Sequence, residues 1–324
     1  MRQVRLFPVV LTVLAVLTSS GCGIFAGDTP APAPLPERTQ LRVGVGNAID
    51  TAPLRIAVAA GEFARAGLHV ELVEQGSQDE GLAGLRSGAL DIVFATDVAL
   101  FRAAAGGTPL QLQGEAYTAG RDTMALVTLP ETGYGDVSAR RAPKIAVELP
   151  DDLGALAGRS VLATAGVDPA RIDFVQVRPG DMVEAMRSGE ADAAWMVEPG
   201  ITTARKDFGA RILSDGSRGA TLDFPVSSYA SDAGFARQNT RTLAVFRQAL
   251  GAAQAHADDP AVVRQALPTL AGIDATTAAL TALGSYPSSL NGVRLQRVAD
   301  LMHAAGMIPA RLDVQSLLPR TAAG

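Results

Sequence analysis

The side chains that most often perform chemistry are scarce in this chain and widely separated. Its 324 residues include one cysteine, Cys22, and three histidines, His69, His256 and His303. A single cysteine cannot supply an internal disulfide, a thiolate metal cluster or a Cys-x-x-Cys redox pair. The three histidines provide no closely spaced pair of metal ligands. The sequence therefore argues against most catalytic and metal-dependent functions, and no cofactor is expected.

The charge balance of the chain is mildly acidic. Its 28 basic and 33 acidic side chains give a net charge of −5, whereas a nucleic-acid-binding protein would show a strong basic excess. Apolar residues make up 48% of the chain and charged residues 19%, which is typical of a folded globular protein. At roughly 150 residues per domain, the length suggests about two domains. We therefore expect a folded protein that does not bind nucleic acid.

The N-terminus is typical of an exported protein. Arg2 and Arg5 precede the apolar run LFPVVLTVLAVL. This run is shorter than the ~20 residues that a membrane-spanning helix needs, and small residues follow it. The Gly-Cys pair that ends at Cys22 resembles the lipobox of bacterial lipoproteins, although Ser19 stands where leucine is usual. That resemblance implies a signal peptide at residues 1–21, acylation of Cys22 and an extracytoplasmic protein anchored to the cell membrane. The alternative is a secretory signal with an incidental free cysteine.

Beyond residue 40 the hydrophobic pattern alternates between strands and helices. Residues 22–40 are a proline-rich tether, whose alternating Ala-Pro stretch favours extended backbone. The segments LRVGVG and LHVELVE alternate like strands, and DIVFA is an apolar run typical of a strand buried on both faces. Ser77 and Glu80 fit a capping box before one helix, and Asp50 is a candidate N-cap of another. The alternation predicts an α/β fold with a mainly parallel sheet.

Two short segments occupy the same place in two halves of the chain. They are LRSGALD at residues 85–91 and MRSGEAD at residues 186–192. Each lies where a predicted helix ends and the next strand begins, so Gly88 and Gly189 are expected to end helices. Chance similarity over so short a stretch is the alternative. The shared position favours two α/β halves of similar architecture.

The order of these patterns resembles that of the extracytoplasmic solute-binding proteins of ABC importers. The segments that carry the resemblance are RVGVGNAIDTAPLRIAVAAGEFARAGLHVELVEQGS, GLRSGALDIVFATDVAL, DAAWMVEP and FPVSSYASDAGFARQNTRTLAVFRQAL. The most similar subgroup binds aliphatic sulfonates, taurine, nitrate or thiamine-precursor pyrimidines. The resemblance implies a two-lobed type II periplasmic binding protein fold, with C-terminal helices packing on lobe 1. It places lobe 1 at residues 41–132 and 227–318, lobe 2 at 140–222, and hinge segments at 133–139 and 222–227.

The same resemblance implies a ligand between the lobes, where the carboxyl ends of both sheets meet beside helix N-termini. The residues at the predicted strand ends and at one crossing are the expected ligand-binding residues: Asn47, Ser77, Thr96, Asp97, Tyr117, Asp151, Trp195, Glu198 and Ser228. Several of them have a purely structural alternative. Ser77 and Asp97 would then only cap helices, and Asn47 would only serve a turn. Trp195 would pack in the strand core, and Glu198 would start a helix, where an acid favours the dipole.

One departure from the family pattern bears on the ligand. Anion-binding relatives usually have a Gly/Ser/Thr-rich loop after the first strand of lobe 2, whereas this chain has ELPDD at residues 148–152. Proline has no N–H group to offer, and two aspartates repel an anion. The predicted rim holds Asp50, Asp97, Asp151 and Glu198 without a clear lysine or arginine. We therefore expect a neutral ligand, or one with an amine or a protonatable ring such as a pyrimidine precursor, rather than a plain sulfonate or nitrate.

Three other classes of function share the fold or the export signal. Porphobilinogen deaminases and fungal pyrimidine synthases are enzymes on related scaffolds, but here the only cysteine lies in the signal region and no histidine falls at a predicted cleft tip. LysR-type effector domains follow a DNA-binding helix-turn-helix, and this chain has an export signal there. A sensory or scaffolding lipoprotein that does not transport stays open. We expect a monomeric, non-enzymatic protein that delivers its solute to an ABC permease.

Overall fold

The computed structural model describes residues 35–319, which form alternating strands and helices. The predicted signal peptide, Cys22 and most of the predicted tether lie outside these residues. Within residues 35–319, no helix combines the length and apolar composition needed to cross a membrane.

Ten strands form the sheets of this part of the chain. They are β1 (Gln40–Val45), β2 (His69–Glu74), β3 (Val93–Thr96), β4 (Leu110–Thr118), β5 (Met124–Thr128), β6 (Lys144–Val147), β7 (Asp173–Gln176), β8 (Ala193–Val197), β9 (Arg211–Asp215) and β10 (Pro225–Asp232). Twelve α-helices pack around the sheets or connect the strands. They are α1 (Ala52–Ala59), α2 (Glu62–Arg65), α3 (Gln78–Ser87), α4 (Asp97–Ala105), α5 (Leu153–Thr164), α6 (Met182–Arg187), α7 (Gly200–Phe208), α8 (Ala233–Gln238), α9 (Thr240–His256), α10 (Pro260–Ala271), α11 (Ala275–Leu280) and α12 (Gly292–Ala304).

The strands of lobe 1 follow one another in the order β2-β1-β3-β10-β4. The parallel pair β1-β2 is joined to the rest by a bridge between Val43 and Ile92, and β10 runs antiparallel to both β3 and β4. The C-terminal helices α9, α10 and α12 pack on α1, α4 and β4. This arrangement confirms the expected packing of C-terminal helices on lobe 1.

Lobe 2 repeats the same order with the sheet β7-β6-β8-β5-β9. Here β6 is parallel to β7 and β8, and β5 is antiparallel to β8 and β9. Each sheet therefore contains one antiparallel strand that comes, along the chain, directly after a strand of the other lobe: β5 follows β4, and β10 follows β9. These two strands, β5 and β10, link the lobes.

The positions of the crossings differ from the sequence-based boundaries. The chain leaves the lobe 1 sheet after Thr118 and enters the lobe 2 sheet at Met124, and it returns between Asp215 and Pro225. The sequence-based boundaries place the first crossing at residues 133–139, after β5, and so include β5 in lobe 1. In the structure the crossing precedes β5, which belongs to the lobe 2 sheet. All five residues of β5 are buried, so its composition did not indicate which sheet it joins.

The two similar segments at residues 85–91 and 186–192 have the same structural role. The glycine in each adopts a positive φ, 73° in the first and 77° in the second. Oδ2 of Asp91 accepts a hydrogen bond of 2.8 Å from the Arg42 amide, and Oδ2 of Asp192 accepts one of 2.8 Å from the Lys144 amide. Each carboxylate thus connects the start of one strand, β3 or β8, to the strand beside it, β1 or β6. The similarity is an architectural repeat.

Candidate ligand-binding site

A cavity of about 390 Å³ lies between the carboxyl ends of the two sheets. Lobe 1 supplies the residues that follow β1 and β2 and those at the ends of β3 and β4, and lobe 2 supplies those that follow β6 and β7 and those at the end of β8. Parallel strands bring these connections to one edge of each sheet, which is where α/β proteins place their ligands. The volume is within the ~300–1,000 Å³ range of small-molecule sites.

Six of the nine residues expected from the sequence line this cavity. They are Asn47, Ser77, Thr96, Tyr117, Trp195 and Glu198. Some of them also have the structural role that was the alternative: Ser77 caps α3 by accepting the Glu80 amide at 3.1 Å, and Asn47 Oδ1 accepts the Ile49 amide at 2.8 Å. The structure thus places these six side chains around one space, and their contact with a ligand stays a prediction.

The other three expected residues do not line the cavity. Asp97 and Ser228 are fully buried inside lobe 1, because Asp97 turns inward at the start of α4 and Ser228 pairs with Ala95 in the middle of the sheet. The Asp151 side chain is 66% exposed at the rim and pairs with Arg102 of lobe 1. It does not enter the cavity because its neighbour Asp152 takes the inward position at the N-terminus of α5.

Asp152 is bonded to lobe 1 through two hydrogen bonds. Its Oδ1 accepts the Thr96 hydroxyl at 2.6 Å, and its Oδ2 accepts Nε2 of Gln78 at 2.5 Å. Oε1 of Gln78 in turn accepts a hydrogen bond from the Thr96 backbone amide at 2.8 Å, so the three residues form a closed ring of hydrogen bonds across the cleft. Hydrogen bonds to an ionised acceptor are the stronger ones, so this ring favours contact between the lobes.

Glu198 forms a second connection between the lobes on another side of the cavity. Within lobe 2 its carboxylate accepts the Thr202 amide at 3.0 Å and the Thr202 hydroxyl at 2.7 Å, as expected for an acid at the start of a helix. Its Oε1 also accepts the amide of Ala282, which follows α11, at 3.1 Å. Nearby, α7 and α11 are joined by a 2.5 Å bond from Nζ of Lys206 to Asp274.

Asp50 is the lobe 1 carboxyl group in the cavity wall. Thr51, rather than Asp50, is the N-cap residue of α1, which corrects the expected capping role. The Asp50 side chain instead turns toward β10, where its Oδ2 accepts the Ser227 hydroxyl at 2.7 Å. Burial raises the pKa of Asp50 to about 7, against the opposing effect of that hydrogen bond. A carboxyl group whose pKa is raised by burial beside a cleft is a candidate functional group.

The rest of the wall is largely aromatic and apolar. The Tyr117 ring packs against Tyr286 with 5.3 Å between centroids, and its hydroxyl accepts the Gly284 amide. Trp195 is buried, and its indole Nε1 has no hydrogen-bond partner among the described residues. Phe94 of lobe 1 adds the flat face of an aromatic ring to the wall, and Met182 of lobe 2 adds a flexible apolar side chain. These surfaces suit the body of a small organic molecule.

The polar part of the cavity is acidic. Its lining includes four carboxyl groups, those of Asp50, Glu148, Asp152 and Glu198, and no lysine, arginine or histidine among the described residues. Burial is the main cause that raises the pKa of each of the four. Within residues 35–319, no group of three or more acidic, cysteine or histidine side chains could hold a metal ion.

Sequence reasoning did not select Gln78, Glu148 and Asp152 as site residues, although it noted the segments that contain them. Gln78 follows the Ser77 cap directly, and Glu148 and Asp152 are the two ends of the ELPDD loop. A signal was available, because these residues also lie at expected strand ends. The direction in which each side chain points depends on the residue at which the next helix starts. The hydrophobic pattern of the sequence did not define that residue.

Comparisons with known proteins agree with the fold. The model of the NMT1-like family matches residues 35–271. The periplasmic aliphatic sulphonate binding protein SsuA of Escherichia coli superposes with a TM-score of 0.73 at 19% identity, covering 88% of this chain and 93% of that one. The alkanesulfonate-binding protein SsuA of Xanthomonas axonopodis pv. citri, bound to MOPS, gives a TM-score of 0.75 at 21% identity, with 89% and 100% covered.

The periplasmic nitrate-binding protein NrtA of Synechocystis PCC 6803 gives a TM-score of 0.72 at 17% identity, covering 88% of this chain and 86% of that one. A search of the curated proteins found no match. These likenesses confirm the two-lobed type II periplasmic binding protein fold. Because the family match spans most of the chain, the protein belongs to the NMT1-like family.

Proposed function

We propose that the protein is the extracytoplasmic solute-binding component of an ABC importer. It binds a small organic solute between its lobes and delivers the solute to a permease. It does not form or break any covalent bond of the solute. Support comes from the fold, which it shares with the sulphonate- and nitrate-binding proteins above, and from a cavity of solute size between the lobes. Those neighbours are periplasmic, which supports the expected location.

We further propose that the solute carries an amine or a protonatable ring, as an aminopyrimidine does, rather than a free sulfonate or nitrate charge. The observation that carries this step is the lining of four carboxyl groups without a basic side chain among the described residues. At ~4 Å and an effective dielectric constant near 20, two like charges repel by about 4 kcal/mol. An anion in this cavity would meet that repulsion without a compensating cation, whereas an N–H donor finds acceptors.

Delivery requires the protein to signal that it is loaded. The two crossings, between Thr118 and Met124 and between Asp215 and Pro225, are the proposed hinges. A solute favours the closed form only through its extra affinity for it, and a shift from 1:99 to 99:1 requires about 5.5 kcal/mol of such preference. A permease that recognises the closed form alone would then receive loaded protein.

The proposed anchor is Cys22, which lies outside the described residues. Support comes from the lipobox-like sequence alone. We expect the intact mass of the native protein to show a chain that begins at Cys22 and carries acyl groups, and Cys22→Ser to move the protein from the membrane to the soluble fraction. Recovery of unprocessed protein in the cytosol would overturn the importer role.

The solute class is tested by isothermal titration calorimetry at pH 7 with 4-aminopyrimidine, taurine, ethanesulfonate and nitrate. We expect binding of 4-aminopyrimidine and no measurable binding of ethanesulfonate or nitrate. Taurine, which carries both an ammonium and a sulfonate, separates attraction of the amine from repulsion of the anion. Binding of ethanesulfonate without binding of 4-aminopyrimidine would overturn the proposed solute class.

A further inference from the structure

The four carboxyl groups that line the cavity differ in the hydrogen bonds they already make. Both oxygens of Asp152 accept hydrogen bonds from lobe 1 side chains, at 2.6 and 2.5 Å. Both oxygens of Glu198 accept as well, from Thr202 within lobe 2 and from the amide of Ala282. Both carboxylates are therefore already hydrogen-bonded to other parts of the chain. A solute would have to displace those hydrogen bonds to bind either carboxylate.

Asp50 and Glu148 are different. Oδ1 of Asp50 accepts no hydrogen bond from any other described residue, and the Glu148 carboxylate accepts none from the described residues, although both residues line the cavity. Glu148 is the more exposed of the two residues, so water screens its charge more strongly. Asp50 is 8% exposed and is held in place by the buried Ser227 hydroxyl on β10. An immobilised acceptor in a site shielded from water gives the larger discrimination between ligands.

We propose that Asp50 is the specificity-determining residue of the cavity, with its free Oδ1 accepting a hydrogen bond from an amino or protonated ring nitrogen of the solute. Ser227 is a positioning residue, because it orients the carboxyl group through Oδ2. The inference rests on the proposed function and assigns its selectivity to one group.

The surroundings of Asp50 make its role measurable through protons. The Asp50 charge raises the pKa of four nearby groups, Tyr117 on β4, Tyr229 on β10, Tyr286 before α12 and Asp97 on α4. Burial raises the pKa of all three tyrosines, so they are neutral near pH 7, and it raises the pKa of Asp97 to about 8. Asp50 itself, with a pKa of about 7, is near half-protonation at neutral pH.

The test is calorimetric titration of 4-aminopyrimidine at pH 7 in phosphate and in Tris, two buffers with different ionisation enthalpies. This probe is neutral at pH 7. To donate a hydrogen bond to Oδ1, its ring nitrogen takes the proton of a protonated Asp50 or, where Asp50 is ionised, a proton from the buffer, so the complex holds one proton. Since free Asp50 is about half protonated at its pKa, we expect uptake of about half a proton per solute bound. Asp50→Asn should abolish this uptake and weaken binding at least about tenfold.

Two further variants make the measurement specific. Asp97→Asn is the matched control, because Asp97 is also a buried lobe 1 aspartate but lies outside the cavity wall. This variant should bind and take up protons as the wild type does. Ser227→Ala removes a bond that lowers the pKa of Asp50, so more Asp50 is protonated before binding and proton uptake should fall. Thermal melts establish that each variant is folded.

The outcomes separate this inference from the proposed function. Equal affinity and equal proton uptake in the wild type and Asp50→Asn would overturn the role of Asp50 and leave the solute class intact. Loss of proton uptake in Asp97→Asn would also overturn it, because the proton would then belong to another group. If 4-aminopyrimidine fails to bind the wild type, the solute class and the role of Asp50 both fail.

Discussion

The Thr96 hydroxyl donates a 2.6 Å hydrogen bond to Oδ1 of Asp152, so the last residue of a lobe 1 strand is joined directly to the N-cap residue of a lobe 2 helix. Asp152 makes no capping bond of its own, because Gln78 takes its other oxygen. A carboxylate that would ordinarily stabilise α5 instead connects the lobes.

Thr96→Val should shift the solute-free protein toward an open form. A hydrogen bond to a charged group contributes about 1.5–3 kcal/mol, so the open-to-closed ratio should rise at least about tenfold. Small-angle X-ray scattering would record a larger radius of gyration. The control is Thr128→Val, since the Thr128 hydroxyl donates to the backbone carbonyl oxygen of Asp192 inside lobe 2 at 3.0 Å. Equal radii for the two variants would show that the Thr96 bond does not hold the lobes together.

Gly216→Ala should destabilise the protein and disturb the cavity. A Cβ at this position would lie 2.6 Å from Cη2 of Trp195 and 2.7 Å from the Met124 carbonyl oxygen, and the backbone contact cannot yield as a flexible side chain could. Overpacking of this kind costs about 1–3 kcal/mol, which denaturant unfolding would measure. Gly135→Ala is the control, because a Cβ there meets nothing within 4 Å. Similar unfolding midpoints for both variants would contradict the close packing around Trp195.

Asp97→Asn should remove part of the pH dependence of stability. Burial raises the pKa of Asp97 from 3.8 to about 8, and its carboxyl oxygens make no well-formed hydrogen bond, although the nearby Ser228 hydroxyl opposes the rise. The folded state therefore keeps a proton that the unfolded state releases above pH 3.8, and the free energy of unfolding falls as the pH rises from there to about 8. Relative to the wild type, the variant should gain at least about 1 kcal/mol between pH 5 and 8. A constant difference over this window would mean that Asp97 is ionised in the folded protein.

Solute binding should change the emission of Trp195. It is the only tryptophan in the chain and lies in the cavity wall, so the whole indole signal comes from the site. Titration with 4-aminopyrimidine should give a saturable change with the same Kd as calorimetry, and Trp195→Phe should remove the signal while keeping the fold by circular dichroism. Saturation of the calorimetric signal without any change in emission would place the solute away from Trp195.

The sequence predicted alternating strands and helices because their hydrophobic periods differ, and the repeated segments around Asp91 and Asp192 mark equivalent joints in the two halves. The two-lobed arrangement was implied by the family resemblance. The sequence also predicted which loops form the site, because the ends of the strands can be located from the hydrophobic pattern. It did not resolve adjacent residues: Asp151 lies at the rim and Asp152 inside, and Thr96 lines the cavity whereas Asp97 is buried beneath it. Which neighbour faces the cavity is decided by helix starts and long-range bonds, and the entry of β5 into the second sheet is equally non-local.

The most direct measurement is native mass spectrometry of the protein purified from its own source without added ligand. We expect a non-covalently bound small solute that contains an amino group or a basic ring nitrogen, and we expect the same preparation of Asp50→Asn to lack it. A bound sulfonate or nitrate without a basic nitrogen would contradict the acidic, cation-seeking cavity on which the proposed solute class depends.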